Sequence, residues 1–230
     1  MKKYTKRRQG LTKRQRKNKK FIKMKNKRLV KKYYWLMPTN WEGKVDKYFK
    51  DYHYIEWGWS PGWDKAFGQM YMDELGKAIK ESGQKNFQIY QIKEKYGQAR
   101  LYCSGTCDKV HDIISKYEMI SENVCYYCGK EAPMTDGGWV LPQCFKCFCK
   151  VYRRREQYSI KNHPEIIPKT DEELQELYNK IIIDKPDEHG EYHIPMTYTV
   201  RTFDKDGDKD VIYDISDTVT KLRKRIEKFT

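Results

Sequence analysis

Four cysteines fall into two pairs, Cys125-Tyr-Tyr-Cys128-Gly129 and Cys144-Phe-Lys-Cys147, separated by fifteen residues. Two residues between paired thiolates let a tight turn aim both sulfurs at one ion. Gly129 suits the left-handed backbone on which such a turn ends. Two pairs close a tetrahedral sphere of four thiolates, and this spacing lies in the range read as zinc. The expectation is one structural Zn2+ on Cys125, Cys128, Cys144 and Cys147, with Cys149 an alternative to Cys147. Four thiolates leave no coordination position for water, so the metal should hold a fold together rather than act on a substrate. A redox role fits less well, because no thioredoxin-like βαβ pattern surrounds the pairs. Seven cysteines, an odd number, fit a reducing compartment and metal binding better than a disulfide framework.

The other chemistry is charge. Residues 1–32 hold 17 Lys or Arg and no carboxylate, the first acidic residue being Glu42. The whole chain carries +15, so a cationic arm is joined to a nearly neutral body. Such an arm points to a polyanion. Lys13, Arg14, Arg16, Lys17, Lys19, Lys20 and Arg28 in the arm are candidate phosphate contacts, as are Arg153, Arg154 and Arg155 just beyond the second cysteine pair. Binding nucleic acid would release many counterions, giving strong, salt-sensitive and sequence-indifferent affinity. A preference between RNA and DNA does not follow, though such a tail would suit insertion into folded RNA. An acidic protein is the competing partner. A membrane is not expected, because apolar anchors are sparse in the arm.

Further candidates are weaker. Aromatics crowd residues 33–63, Tyr33, Trp35, Trp41, Trp57, Trp59 and Trp63 among them. They could stack bases, although most are expected in the core. Lys93, Glu94, Lys95 and Arg100 could form a recognition surface or merely a solvated strand face. Asp204, Asp206 and Asp208 suggest a hairpin tip, since a calcium loop would need a different glycine position and a distal Glu. No catalytic constellation stands out.

These groups must be held by a scaffold. With Asp64 as cap, Phe67, Met70, Tyr71, Leu75, Ala78 and Ile79 give a helical stripe ending near Ser82-Gly83. Residues 87–96 and 99–103, turning at Gly97-Gln98, read as a β-hairpin. Val110, Ile113, Ile114 and Tyr117 mark a second helix, with Asp108 and Asp112 near its positive end. Thr170-x-x-Glu173 is a capping box ahead of Leu174, Leu177, Tyr178 and Ile181, in a helix that Pro186 closes. Residues 191–203 and 210–215 alternate as a second hairpin, and Val219, Leu222 and Ile226 form a last helix. The expected class is α+β. A basic arm (1–32), disordered when free, would precede a zinc-stabilised domain (33–160) of helix, β-hairpin, helix and four-cysteine knuckle. A C-terminal α+β extension (161–230) would follow. No stretch approaches the ~20 apolar residues of a membrane span, nor does an apolar run follow the basic start as in a signal peptide. A cytoplasmic setting is expected.

The two CxxC pairs resemble the knuckle of HNH-type nucleases, which frames a ββα-metal core. That family needs a His base between the pairs, and here no His lies between residues 112 and 162. His163 comes after the second pair and Asp136 cannot replace it, so an HNH-like relative lacking its base is the implied alternative. A closer likeness covers residues 55–149. Gly58-Trp59, Lys93-Glu94-Lys95-Tyr96-Gly97, Arg100-Leu101-Tyr102, Cys125 to Gly129, Gly137-Gly138-Trp139, and Cys144 with Cys147 resemble a group of zinc-knuckle proteins carried by phages and prophages. This chain departs from them at Gln98-Ala99, where Gly-Leu is commoner. It also departs in its second pair, where they often have Cys followed by Asp-x-His. The resemblance implies a phage-encoded protein in host cytoplasm and one folded unit, but no activity. The reading it joins is a zinc-binding, nucleic-acid-associated protein, with a protein-interaction factor acting on host machinery as the rival.

Overall fold

The computed structural model describes residues 32, 33, 35, 60–184, 186, 188–204 and 207–228. The arm candidates Lys13, Arg14, Arg16, Lys17, Lys19, Lys20 and Arg28 lie outside the described residues, as do the aromatics of 36–59. Among the described residues the fold is mixed α+β, with five helices and three two-stranded antiparallel sheets. None of these helices is long and apolar enough to cross a membrane.

Helix α1 is one run over 61–82, made of Pro61–Trp63, a π-helical turn Asp64–Gly68, and Gln69–Ser82. Its cap is Ser60, whose hydroxyl accepts from the Trp63 N–H, with Pro61 at the first helical position. The expected cap at Asp64 is thus corrected: Pro61 opens the helix, because its missing N–H costs nothing in the first turn. Gly83 ends it in the left-handed conformation, as its sequence position suggests.

Strands β1 (Gln88–Lys95) and β2 (Gln98–Ser104) pair next. The turn residues are Tyr96 and Gly97, both at positive φ, one residue earlier than Gly97-Gln98. Positive φ at both central positions matches the twist of a two-residue hairpin. A bulge between Ile89 and Gln91 changes the alternation, so that Ile89 and Ile92 both reach the core. Helix α2 (Asp108–Glu122) follows as expected and packs on α1.

Strands β3 (Met134–Asp136) and β4 (Val140–Pro142) form a short hairpin. From it the chain enters α3 (Phe145–Asn162), a helix not among those expected above. Helix α4 (Asp171–Ile181) carries the complete Thr170/Glu173 capping box. It ends at Ile181, short of Pro186, because Ile182 bridges to Thr135 and Ile183 N–H donates to Met134 O. Strands β5 (Thr197–Asp204) and β6 (Gly207–Asp214) form the last hairpin. It starts later than the expected residue 191. Helix α5 (Ser216–Glu227) ends the described chain.

The main core is built from Trp63, Phe67, Tyr71 and Leu75 of α1, the inner faces of β1 and β2, and Val110, Tyr117 and Ile120 of α2. Tyr71 and Tyr117 stack with ring centroids 4.4 Å apart. Ile194, Ile215, Val219, Leu222 and Ile226 belong to the same buried cluster, so α5 closes over the N-terminal helices. Tyr198 and Tyr213 donate to Asp112 and fasten the last hairpin to α2. The described members of the aromatic stretch, Tyr33, Trp35 and Trp63, are buried there too.

Candidate metal centre

The first cysteine pair sits in a knuckle between α2 and β3. Cys125 N–H donates to Lys130 O at 2.6 Å and Gly129 N–H to Cys125 O at 2.9 Å, folding residues 125–130 back on themselves. Gly129 holds φ 84°, a region closed to most side chains. The second pair comes from the start of α3, where Cys144 is the cap residue and Cys147 lies in the first turn. The β3–β4 hairpin carries the chain from one pair to the other. Tyr126 N–H donates to Pro142 O, and Gln143 N–H to Pro133 O, locking knuckle and hairpin in register.

As a result the sulfurs of Cys125, Cys128, Cys144 and Cys147 all lie within 4.8 Å of one another. Cys128 and Cys144 sulfurs are 3.7 Å apart. A tetrahedral ion with metal–sulfur bonds of about 2.3 Å separates its ligands by about 3.8 Å, so the donor set fits a four-coordinate metal. Cys149 is not in the group: it lies further round α3, leaving Cys147 as the fourth sulfur. Hydrogen bonds among the thiols spread their acidities. Those with Cys125 and then Cys144 pull Cys128 below the ordinary thiol range, whereas those with Cys125 and Cys128 push Cys144 and Cys147 above it. Four adjacent sulfurs cannot all be anionic without a cation among them. The N-terminus of α3 supplies only a partial positive charge. Among the described residues no His belongs to the cluster. His163 caps the far end of α3, about 24 Å along the helix from Cys147.

The module is seated by backbone contact. Gly62 N–H donates to Tyr126 O at 3.3 Å, and Trp63 Nε1 to Val124 O at 2.7 Å. A Cβ on Gly62 would lie 2.5 Å from Cys125 O, and one on Gly129 2.6 Å from Gly62 O. From the other side Arg223 of α5 pairs with Glu131 at 2.7 Å.

The arginine run divides. Arg153 is engaged within the protein: it pairs with Asp171 at 2.8 Å and Glu156 at 3.2 Å, and donates to Lys169 O. Glu156, the single acid of α3, is buried. It accepts from Lys169 N–H at 2.7 Å, and this backbone bond together with Arg153 holds its carboxyl below the usual range. Arg154 and Arg155 are exposed. Lys93, Lys95 and Arg100 stay on the first hairpin. Arg100 is bound to Glu118 at 2.6 Å, while the Lys93 and Lys95 ammonium groups lie over the Tyr102 and Tyr96 rings.

Sequence reasoning passed over a cleft beside the four cysteines, lined by Tyr127, Trp139, Leu141, Phe148, Tyr152 and Arg155. The available signals were an aromatic inside the first ligand pair and a Trp directly after Gly137-Gly138. Set against family models, curated proteins and solved structures, the chain matches none of them.

Proposed function

We propose that Cys125, Cys128, Cys144 and Cys147 hold one Zn2+, and that the chain is a nucleic-acid-associated protein whose residues 1–32 grip phosphate backbones without sequence preference. The convergence of four sulfurs at tetrahedral spacing supports the metal, and an all-thiolate tetrahedral set favours zinc among the common divalent ions. Such a zinc contributes folding energy and has no open position, so the chain's own residues supply any recognition. The nucleic-acid reading is carried by one observation, 17 cations without a carboxylate in 32 residues. The likeness to phage-borne knuckle proteins supports host cytoplasm as the setting.

Elemental analysis of the purified full chain is expected to find about one zinc per molecule, and Cys128→Ser to lose it. Titration of the full chain with RNA, duplex DNA and single strands across a salt series tests the arm. Affinity should fall steeply, log K against log salt having a slope near −0.7 to −0.9 per phosphate neutralised. A flat salt dependence, or no binding at low salt, overturns the nucleic-acid reading and directs attention to an acidic host protein.

A further inference from the structure

Trp139 is 67% exposed and Tyr127 39% exposed, on two different turns that converge on one cleft. Leaving large aromatic faces in water is unfavourable. Both turns are tied by specific contacts. Tyr127 stands between two metal-site cysteines, with the Tyr126 ring edge-on to it at 5.3 Å. Trp139 follows Gly138, whose N–H donates to Asp136 at 3.1 Å, and the indole N–H is oriented by Glu94 of β1 at 3.2 Å. The indole is thus fixed by its edge while its ring stays largely open. Arg155 of α3 forms part of the wall, and among the described residues no carboxylate pairs with it. The single acid of that helix, Glu156, is buried and paired with Arg153.

The cleft is only about 80 Å³. Pockets for cofactors and small-molecule substrates run to about 300 Å³ or more, so an enclosed ligand of that kind does not fit. A flat ring laid against a rigid indole beside a guanidinium does. Aromatic platforms next to cations are how proteins take bases from a strand whose faces are unstacked, and in a duplex those faces are covered.

We propose that the cleft of Tyr127, Trp139 and Arg155 is a base-stacking site for single-stranded nucleic acid, one nucleobase lying on the aromatic faces while Arg155 meets the neighbouring phosphate. The proposal rests on the nucleic-acid reading above and adds a site separate from the arm. The arm sees phosphate alone, whereas this site sees the base. The full chain is therefore titrated with a thymidine oligomer and with an abasic strand of equal length, in salt high enough to screen the arm. Wild type should prefer the thymidine strand. Trp139→Ala should lower thymidine affinity about tenfold, leaving abasic binding unchanged. Trp139→Phe should restore most of it, and Arg155→Ala should weaken both strands. Zinc content identical to wild type certifies each variant as folded. Equal wild-type affinity for the two strands, or equal losses on both in Trp139→Ala, overturns the site while the arm's function stands. Absence of binding to either strand at any salt overturns the arm as well.

Discussion

Gly62 and Gly129 meet where the cysteine knuckle rests on α1, and their missing side chains set how closely the two backbones approach. In an open helix Gly62→Ala would gain about 1 kcal/mol from helix propensity. Here the new methyl would stand 2.5 Å from Cys125 O, 2.6 Å from Tyr126 O and 2.8 Å from Gly129 N, all backbone atoms that no rotamer change relieves. The clash outweighs propensity, and Gly62→Ala should destabilise the protein by about 2–4 kcal/mol in denaturant titration. A neutral or stabilised variant would mean that the knuckle does not sit on this helix. The cysteines themselves were legible, because CxxC spacing is a local signal and Gly129 marks the turn. Gly62 was not legible as a contact residue. Its partner is distant in the chain, and Pro61-Gly62 reads as a turn until Ser60 is recognised as the cap.

At the scale of elements, legibility followed how locally each one is specified. The Thr170/Glu173 box was readable because both hydrogen bonds lie within three residues. The apolar stripes of α1 and α2 were readable because each has a core to face. Helix α3 has a narrower one, Phe145 and Phe148 packing on Tyr178 of α4. Only Cys147 and Glu156 are buried among its 18 residues, and its short Phe145, Phe148, Tyr152 stripe is masked by the cysteine pair at its start and the arginine run beyond. It is held at one end by the metal-site cysteines and in the middle by Arg153 and Glu156 reaching Lys169 and Asp171. The last hairpin was drawn too long because residues 191–196 alternate in hydropathy without pairing as a strand. The start of α1 gives the test at this scale. Ser60→Ala removes the acceptor for Trp63 N–H and should cost about 1 kcal/mol. Thermal or urea unfolding of that variant would show it, and no change would return the helix start to Asp64.

The whole molecule joins two kinds of stabilisation that removal of the proposed metal should separate. The main core is apolar and continuous through α1, the first hairpin, α2 and α5. The cysteine module has almost no apolar core: its buried cluster is Cys125, Ala132 and Cys147, with Cys128 and Cys144 against it. Without a cation, the sulfurs that converge there lose the interaction that would offset their crowding. Chelation should therefore release the knuckle, the β3–β4 hairpin and the start of α3. The interior of α1 and α2 should stay protected, because the Tyr71–Tyr117 stack and the residues around it do not depend on those sulfurs. Hydrogen exchange with and without chelator reads this directly. Amides of 125–147 are expected to exchange faster by orders of magnitude, and those of 71–75 and 117–120 to change little. Uniform acceleration would mean that seating through Gly62 and Trp63 makes the metal site part of one cooperative unit. No acceleration at 125–147 would mean that the cluster carries no structural metal. The proposed base-stacking cleft offers a further readout, since Tyr127 is held within the knuckle. Chelation should abolish the preference for thymidine over abasic strands and leave the salt-dependent binding proposed for the arm in place.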